Sequence, residues 1–221
     1  MTYVYQLYKD KSQEEINESF IDACMSGDID IVRYLLNSND LKINAQINAK
    51  DSDALFFATV NNQVKVVKYL ITSPELKEKS QISKNVFITA CAEGRLELIK
   101  FFLTSPQIIK RPILSENEDD ALHYACKNSR FEVVKYFLTT DDLWRKANPD
   151  LAFRKSYEAG NLEMVKFLIL DIGIKYSPYI RLYMGRNPNQ SIESWFEKSE
   201  LNKELKNDLS VNPNIVKKVK L

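Results

Sequence analysis

Apolar and polar positions fall along this chain in columns that recur. With Ala125 as an anchor, the equivalent positions are Ala23, Ala58, Ala90 and Ser156, at spacings of 35, 32, 35 and 31 residues. Six positions past each anchor lie Ile29, Val64, Leu96, Phe131 and Leu162. Nine past lie Val32, Val67, Ile99, Val134 and Val165. Eleven past lie Tyr34, Tyr69, Phe101, Tyr136 and Phe167, and thirteen past lie Leu36, Ile71, Leu103, Leu138 and Ile169. A period of about 33 residues describes a stack of small supersecondary units, each needing its neighbours to bury its apolar face.

Each copy reads as two helices. The second is apolar at offsets 6, 8, 9, 11, 12 and 13 from the anchor and polar at 7 and 10. Only a narrow wet stripe remains, so the helix must be covered on several sides. The stripe carries Asp30/Arg33, Glu97/Lys100, Glu132/Lys135 and Glu163/Lys166, opposite charges at i,i+3, while Lys65/Lys68 departs from the pattern. Between the helices stand Gly27, Asn62, Gly94, Ser129 and Gly160, where a tight turn calls for a left-handed or small polar residue.

Asp120-Ala-Leu-His-Tyr-Ala-Cys-Lys-Asn-Ser-Arg-Phe-Glu-Val-Val-Lys-Tyr-Phe-Leu138 resembles the ankyrin repeat, whose signature is T-P-L-H-x-A-A-x-x-G-x-x-x-[IV]-V-x-x-L-L. The resemblance covers five repeats, about residues 13–180. It implies an all-α ankyrin-like helical repeat solenoid, which the segments downstream of the repeats are expected to close with a helical C-terminal cap. Thr-Pro is replaced by Asp120-Ala121, Asp53-Ala54 or Asn85-Val86, and only the fourth repeat keeps its histidine, His123. After the second helices stand Asn37-Ser-Asn-Asp-Leu41, Thr72-Ser-Pro-Glu-Leu76, Thr104-Ser-Pro-Gln-Ile108 and Thr139-Thr-Asp-Asp-Leu143. A hydroxyl residue followed by Pro and an acid is a helix start, which predicts a short extra helical turn there in place of regular finger hairpins.

The expected partition is an N-terminal arm over 1–12, repeats over 13–48, 49–82, 83–115, 116–148 and 149–176, and a degenerate helical cap and tail over 177–221. Tyr3, Tyr5 and Tyr8 in the arm suit either a cover for the first repeat or a loose binding arm. Ser12-Gln-Glu-Glu15 forms a capping box, and Asn148-Pro149 opens the fifth repeat. Downstream, Ser177-Pro178 is expected to start a helix that Gly185 ends, and Ser191 to start a longer one with Ile192, Trp195 and Phe196.

A net charge of +1 gives no global field to draw nucleic acid or a membrane. No apolar run is long enough to span a bilayer and no signal-peptide pattern opens the chain, so a soluble, cytoplasmic monomer is the expectation. Cys24, Cys91 and Cys126 each follow an anchor. Equivalent atoms on neighbouring helices are about 10 Å apart, beyond the about 7 Å that a disulfide spans, so the thiols read as buried small hydrophobes.

One histidine and five glycines, none in a phosphate-loop arrangement, leave little material for triads, metal centres or nucleotide loops. Glu118 and Asp120 lie at a helix start, where acids complement the dipole. No catalytic residue, no metal and no cofactor is expected, and the chain reads as a non-enzyme. The ankyrin resemblance implies a protein partner on the loop tips and the exposed side of each first helix. Mapped onto this sequence, the candidate partner-binding residues are Asp51, Asp53, Glu93, Glu116, Glu118, Asp119, Asp120, Lys127, Trp144 and Asp150. The acids read either as helix caps on a solvated lip or as a rim that recruits a basic partner. Trp144 is either tucked under the Pro149 loop or offered to the partner. Two alternatives stand beside this reading: a nucleic-acid contact by Arg33, Lys68, Lys100, Lys135 and Lys166, weakened by the interleaved acids, and an activity carried by residues 177–221.

Overall fold

The computed structural model describes residues 2–48, 53–108, 118–144, 147–174, 183–186 and 188–199, which fall into two compact units, Met1–Asn148 and Pro149–Leu221. No strand occurs among the described residues.

The first unit opens with α1 (Thr2–Tyr8). Four helix pairs follow: α2 (Gln13–Ser26) with α3 (Ile29–Asn37), α4 (Asp53–Val60) with α5 (Val64–Thr72), α6 (Lys84–Ala92) with α7 (Leu96–Thr104), and α8 (Glu118–Lys127) with α9 (Phe131–Thr139). A one-turn helix, α10 (Asp141–Trp144), ends the series. The capping box at α2 is reciprocal: Ser12 Oγ accepts from the Glu15 amide at 3.3 Å, and Glu15 Oε2 accepts from the Ser12 amide at 2.8 Å. Each first helix packs on its own second helix, and α2, α4, α6 and α8 pack one on the next.

At five turns between paired helices the residue four past the anchor is left-handed. Its φ is +85° at Gly27, +57° at Asn62, +72° at Gly94, +57° at Ser129 and +69° at Gly160. Glycine adopts this conformation freely, asparagine at small cost and serine with more strain.

The six apolar columns of the second helices are unequal, a distinction the periodicity alone does not draw. Offsets 9 and 12 are buried in every repeat (Val32, Val67, Ile99, Val134 and Val165; Leu35, Leu70, Phe102, Phe137 and Leu168). Offset 6 is half-buried throughout, and at offset 13 Leu36, Leu103 and Ile169 are half-buried too. The anchors and the residues after them face the first-helix stack and are closed off, including Cys24, Cys91 and Cys126, all of which are free thiols.

An extra helical turn after each second helix forms only in the fourth repeat, as α10. In the second and third, a single hydrogen bond closes the turn, from the Leu76 amide to the Ser73 carbonyl (3.4 Å) and from the Ile108 amide to the Ser105 carbonyl (3.3 Å). The last carbonyls of a helix need donors, and here the returning chain supplies them. The Ala45 amide bonds Leu35 O at 2.8 Å and the Ser80 amide bonds Leu70 O at 2.9 Å.

The wet stripe also differs from expectation. Arg33 and Lys100 reach forward to the next repeat instead of pairing with the acid three residues earlier, and Lys68, which has no such acid, does the same. Arg33 lies 5.2 Å from the Tyr69 ring centroid, Lys68 5.7 Å from Phe101 and Lys100 5.3 Å from Tyr136. Lys68 also pairs with Glu97 at 2.9 Å, across repeats. At the front of the unit α1 brings the Tyr8 ring to 6.3 Å from Tyr34, while Lys11 donates to Ser19 Oγ at 2.8 Å.

The second unit contains α11 (Pro149–Glu158), α12 (Leu162–Leu170) and helical residues 183–186 and 190–199. Its last two segments follow the column code in part, with Met184 as anchor, Gln190 at offset 6 and Glu193 at offset 9. Met184 and, eight and twelve positions on, Ile192 and Phe196 are buried. Eleven positions on is Trp195, with Lys166 at 5.8 Å from its ring. Asn189, not Ser191, begins the longer helix: its Oδ1 accepts from the Ile192 amide at 3.3 Å. Gly185 lies within helical residues 183–186 instead of ending a helix at left-handed φ. The Asn189 amide donates to the Tyr157 hydroxyl at 2.9 Å, Tyr157 donates to Glu193 at 3.2 Å, and Tyr183 donates to Glu158. The Ser177-Pro178 start and everything after Ser199 lie outside the described residues.

Candidate interaction surface

The stacked first helices leave one face uncovered. On α2, α4, α6 and α8, the positions one before the anchor are Asp22, Phe57, Thr89 and Tyr124, and those two after it are Met25, Val60, Ala92 and Lys127. These positions are one helical turn apart and belong to one face. Met25 is 41% exposed and Tyr124 39%, both large side chains left open to solvent. Phe57 and Val60 are half-buried between them in sequence, with the Phe56 and Phe57 rings edge to face at 5.5 Å. His123 and Tyr124 have ring centroids 5.1 Å apart. Asp22 and Lys127 are exposed, so the strip carries both signs at its ends.

A recurring hydrogen bond holds this face together. The residue five past the anchor in one repeat donates to the carbonyl two past the anchor in the repeat before. Gln63 Nε2 donates to Met25 O at 3.0 Å. Arg95 gives Nε and Nη2 to Val60 O at 3.1 and 2.5 Å. Arg130 Nε donates to Ala92 O at 2.7 Å, joined by Asn128 Nδ2 at 3.0 Å. These carbonyls stand at or near helix C-termini, where cations complement the dipole and orphan acceptors need partners. The same position in Asp28 and Asn161 caps its own helix, accepting from the Ile31 and Met164 amides at 3.1 and 3.0 Å.

Several residues singled out from the sequence have definite places. Glu93 accepts from Arg130 at 3.5 Å and is half-buried, a part of this inter-repeat joint. Lys127 is the exposed last residue of α8, and Asp150 is exposed in the first turn of α11. Asp53 begins α4, Glu118, Asp119 and Asp120 form the first turn of α8, and Trp144 ends α10; only their backbones are described. Asp51 and Glu116 lie outside the described residues. Tyr124 and Phe57 stand one turn before the first-helix positions that the ankyrin resemblance points to. Their signal is an aromatic residue one turn earlier on the same face.

Four of the five cations of the basic column are engaged in the fold: Lys166 lies 5.8 Å from the Trp195 ring, and Lys135 is exposed. Arg33, Lys68 and Lys100 lie against the following repeat's aromatic rings, and Arg33 is also 3.8 Å from Glu75. Burial, then the hydrogen bond and charge of Glu75, push the Tyr69 hydroxyl above its ordinary pKa. Among the described residues no group of His, Cys, Asp and Glu could hold a metal ion, and no helix is long and apolar enough to cross a membrane.

Comparison with known families gives two matches. A family model described as ankyrin repeats (3 copies) matches residues 87–179, and one described as ankyrin repeats (many copies) matches residues 20–71. Among curated proteins, no match was found.

Proposed function

The chain belongs to the ankyrin-repeat family, and we propose that it binds a protein partner across the exposed face of α2, α4, α6 and α8, with no catalysis of its own. Ankyrin repeats are in general protein–protein interaction modules. The observation that carries the finer reading is the set of Met25, Phe57, Val60 and Tyr124 at equivalent positions of α2, α4 and α8, with Thr89 and Ala92 of α6 between them, on helices joined by side-chain bonds between repeats. Exposed aromatic and methionine side chains are enriched at protein interfaces. A surface already held rigid also loses little conformational entropy on binding.

Specificity on this reading comes from the margins of the strip. Asp53 at the start of α4 and Glu118, Asp119 and Asp120 in the first turn of α8 supply acids suited to a basic partner. Lys127 adds one opposite charge on α8 itself, and Glu93 contributes by fixing Arg130. The contacts of Arg33, Lys68 and Lys100 with the next repeat disfavour the basic column as a nucleic-acid site. Affinity capture from the native host, quantified by mass spectrometry, tests the proposal. One protein should be retained by the wild-type chain and lost with Tyr124→Ala, and weakened by joint reversal of Asp119 and Asp120 to Lys. Retention of the same partner by all variants would contradict the assignment of the face.

A further inference from the structure

Helices α4, α6 and α8 pack one on the next, and each carries three residues spaced by four and three on the face the stack leaves open. They are Asp53, Phe57 and Val60 on α4, Asn85, Thr89 and Ala92 on α6, and Asp120, Tyr124 and Lys127 on α8. Such spacings keep the three residues on one side of their helix. The middle row is the low one. It bears no charge, and its half-buried Thr89 and Ala92 stand between Phe57 and Val60 on one side and the exposed Tyr124 and Lys127 on the other. Helix α6 thus floors a saddle whose walls are its two neighbours. Side-chain bonds hold floor and walls together, from Arg95 to Val60 O on α4 and from Arg130 to Ala92 O on α6.

The width of the saddle selects its occupant. Packed helices lie about 8–10 Å apart, which sets the α4 and α8 axes roughly 16–20 Å from each other. A further helix laid over α6 is about 10–12 Å across with its side chains. It can touch Phe57 on one flank and Tyr124 on the other, while the small Thr89 and Ala92 let it come close. A lone extended strand takes up only about 4.8 Å between neighbours and leaves one wall untouched. Charge then sets the direction. Asp53 begins α4, and Glu118, Asp119 and Asp120 form the first turn of α8, with Lys84 at the start of α6 offsetting one of these acids. At the other end Lys127 closes α8, and Glu93 is already paired with Arg130. Helices favour acids in their first turn and cations in their last. A helix of that kind meets opposite charge at both ends only if it runs antiparallel to α6, and its dipole then also opposes those of the three helices beneath it.

We infer that the saddle over α6 docks one amphipathic helix of the partner, antiparallel to α6, with an acidic first turn, apolar residues at i, i+4 and i+7 over Thr89 and Ala92, and a basic last turn. The inference rests on the protein-binding reading of this face and adds the occupant's secondary structure, direction and order of charges. From Asn85 to Ala92 the floor is about 10.5 Å long, so two to three turns of the occupant engage it. Phe57 and Tyr124 then meet opposite flanks of the same stretch of the docked helix. A helix crossing the stack at right angles would meet them roughly 11–13 residues apart instead.

The test is an NMR titration of the full-length, ¹⁵N-labelled protein. The probe is an acetylated and amidated peptide of about 14 residues, roughly four helical turns, with Glu in its first turn, Leu at i, i+4 and i+7, Ala between them and Lys in its last turn. The amides of Phe57, Thr89, Ala92 and Tyr124 should shift together. A nitroxide at the peptide's N-terminus should broaden the Lys127 amide, and one at its C-terminus the Asp53 and Asp120 amides. Thr89→Tyr gives α6 the residue that α8 carries at the equivalent position, and Ala92→Met the one that α2 carries. Both should therefore melt as the wild type does, yet each fills the saddle and should weaken binding about tenfold or more. A peptide with its Glu and Lys exchanged should bind about fivefold or more weakly. The inference is overturned by spectra that do not move at millimolar peptide, by undiminished binding to both filled variants or by the exchanged peptide, or by broadening in the opposite order. Any of these, with the captured partner still lost in Tyr124→Ala, removes the docked helix and leaves the protein-binding face standing. A partner that survives Tyr124→Ala removes both.

Discussion

Arg95→Met keeps the aliphatic stem of the side chain and removes the guanidinium that joins the second repeat to the third. In the wild type, Nε and Nη2 both reach Val60 O, at 3.1 and 2.5 Å, at the end of α4. A hydrogen bond with one charged partner is worth about 1.5–3 kcal/mol. Two donors share one acceptor here and the side chain is partly open to solvent, which favours the lower part of that range, roughly 1.5–2 kcal/mol. Gln63→Met at the preceding joint removes a single neutral bond of 3.0 Å, worth about 1 kcal/mol. Repeat arrays open in sections, so urea unfolding followed by circular dichroism should be paired with native-state hydrogen exchange. The Asn61, Asn62 and Gln63 amides, bonded to Phe57, Thr59 and Ala58 carbonyls, should exchange faster in Arg95→Met than in wild type. A change in stability below 0.5 kcal/mol, roughly the least a net hydrogen bond contributes, would refute the joint as a source of cohesion. So would equal losses in Arg95→Met and Gln63→Met.

Turn strain gives a paired test: Ser129→Gly should raise stability by about 0.5–1 kcal/mol by relieving the left-handed serine at φ +57°. Gly94→Ala should lower it by about 1–2 kcal/mol, since φ is +72° and a new Cβ would lie 3.0 Å from Arg130 Cδ. Burial pushes the Cys24 and Cys91 thiols far above their ordinary pKa, so both should resist alkylation in native buffer and react promptly in denaturant. The hydrogen bond from Tyr183, then Lys155, holds the Glu158 carboxyl below its ordinary value. That contribution to stability is complete above the unfolded-state pKa and is lost as pH falls through the lowered folded value. Tyr183→Phe should move the Glu158 titration, followed by NMR, upward toward the ordinary carboxylate range.

Much of the fold could be read in the sequence because its determinants are local. Ser12 and Glu15 cap one helix between them, and Gly27, Gly94 and Gly160 mark turns that Asn62 and Ser129 also make. Cys24, Cys91 and Cys126 sit in a column whose burial follows from periodicity. What stayed hidden depends on neighbours more than thirty residues away. Arg95 looks like any surface arginine until the preceding repeat brings Val60 O to it, and Lys100 looks like half of a pair with Glu97 until Tyr136 arrives. Thr72-Ser-Pro-Glu carries a helix-start signal, yet the returning chain completes the carbonyl ladder at Leu70 first. The last pair of helical segments is legible as a degenerate cap, but its boundaries are not: Gly185 reads as a helix end and Ser191 as a start, while the structure has Gly185 inside helical residues 183–186 and Asn189 as the cap. Pro188-Asn189 ahead of Ile192 and Phe196 at i,i+4 is the signal for the true start. The strip of Tyr124 and Phe57 shows only once the first helices are set side by side.

Site-specific photocrosslinking tests the proposed protein-binding face most directly. A benzoylphenylalanine would be placed in turn at Met25, at Tyr124 and at Lys135, an exposed position on the second helix α9. After irradiation in the native host, the Met25 and Tyr124 variants should crosslink to one common protein, and the Lys135 variant should not. Crosslinking from Lys135 with none from Met25 or Tyr124 would show that the partner sits on the second helices and would contradict the assignment.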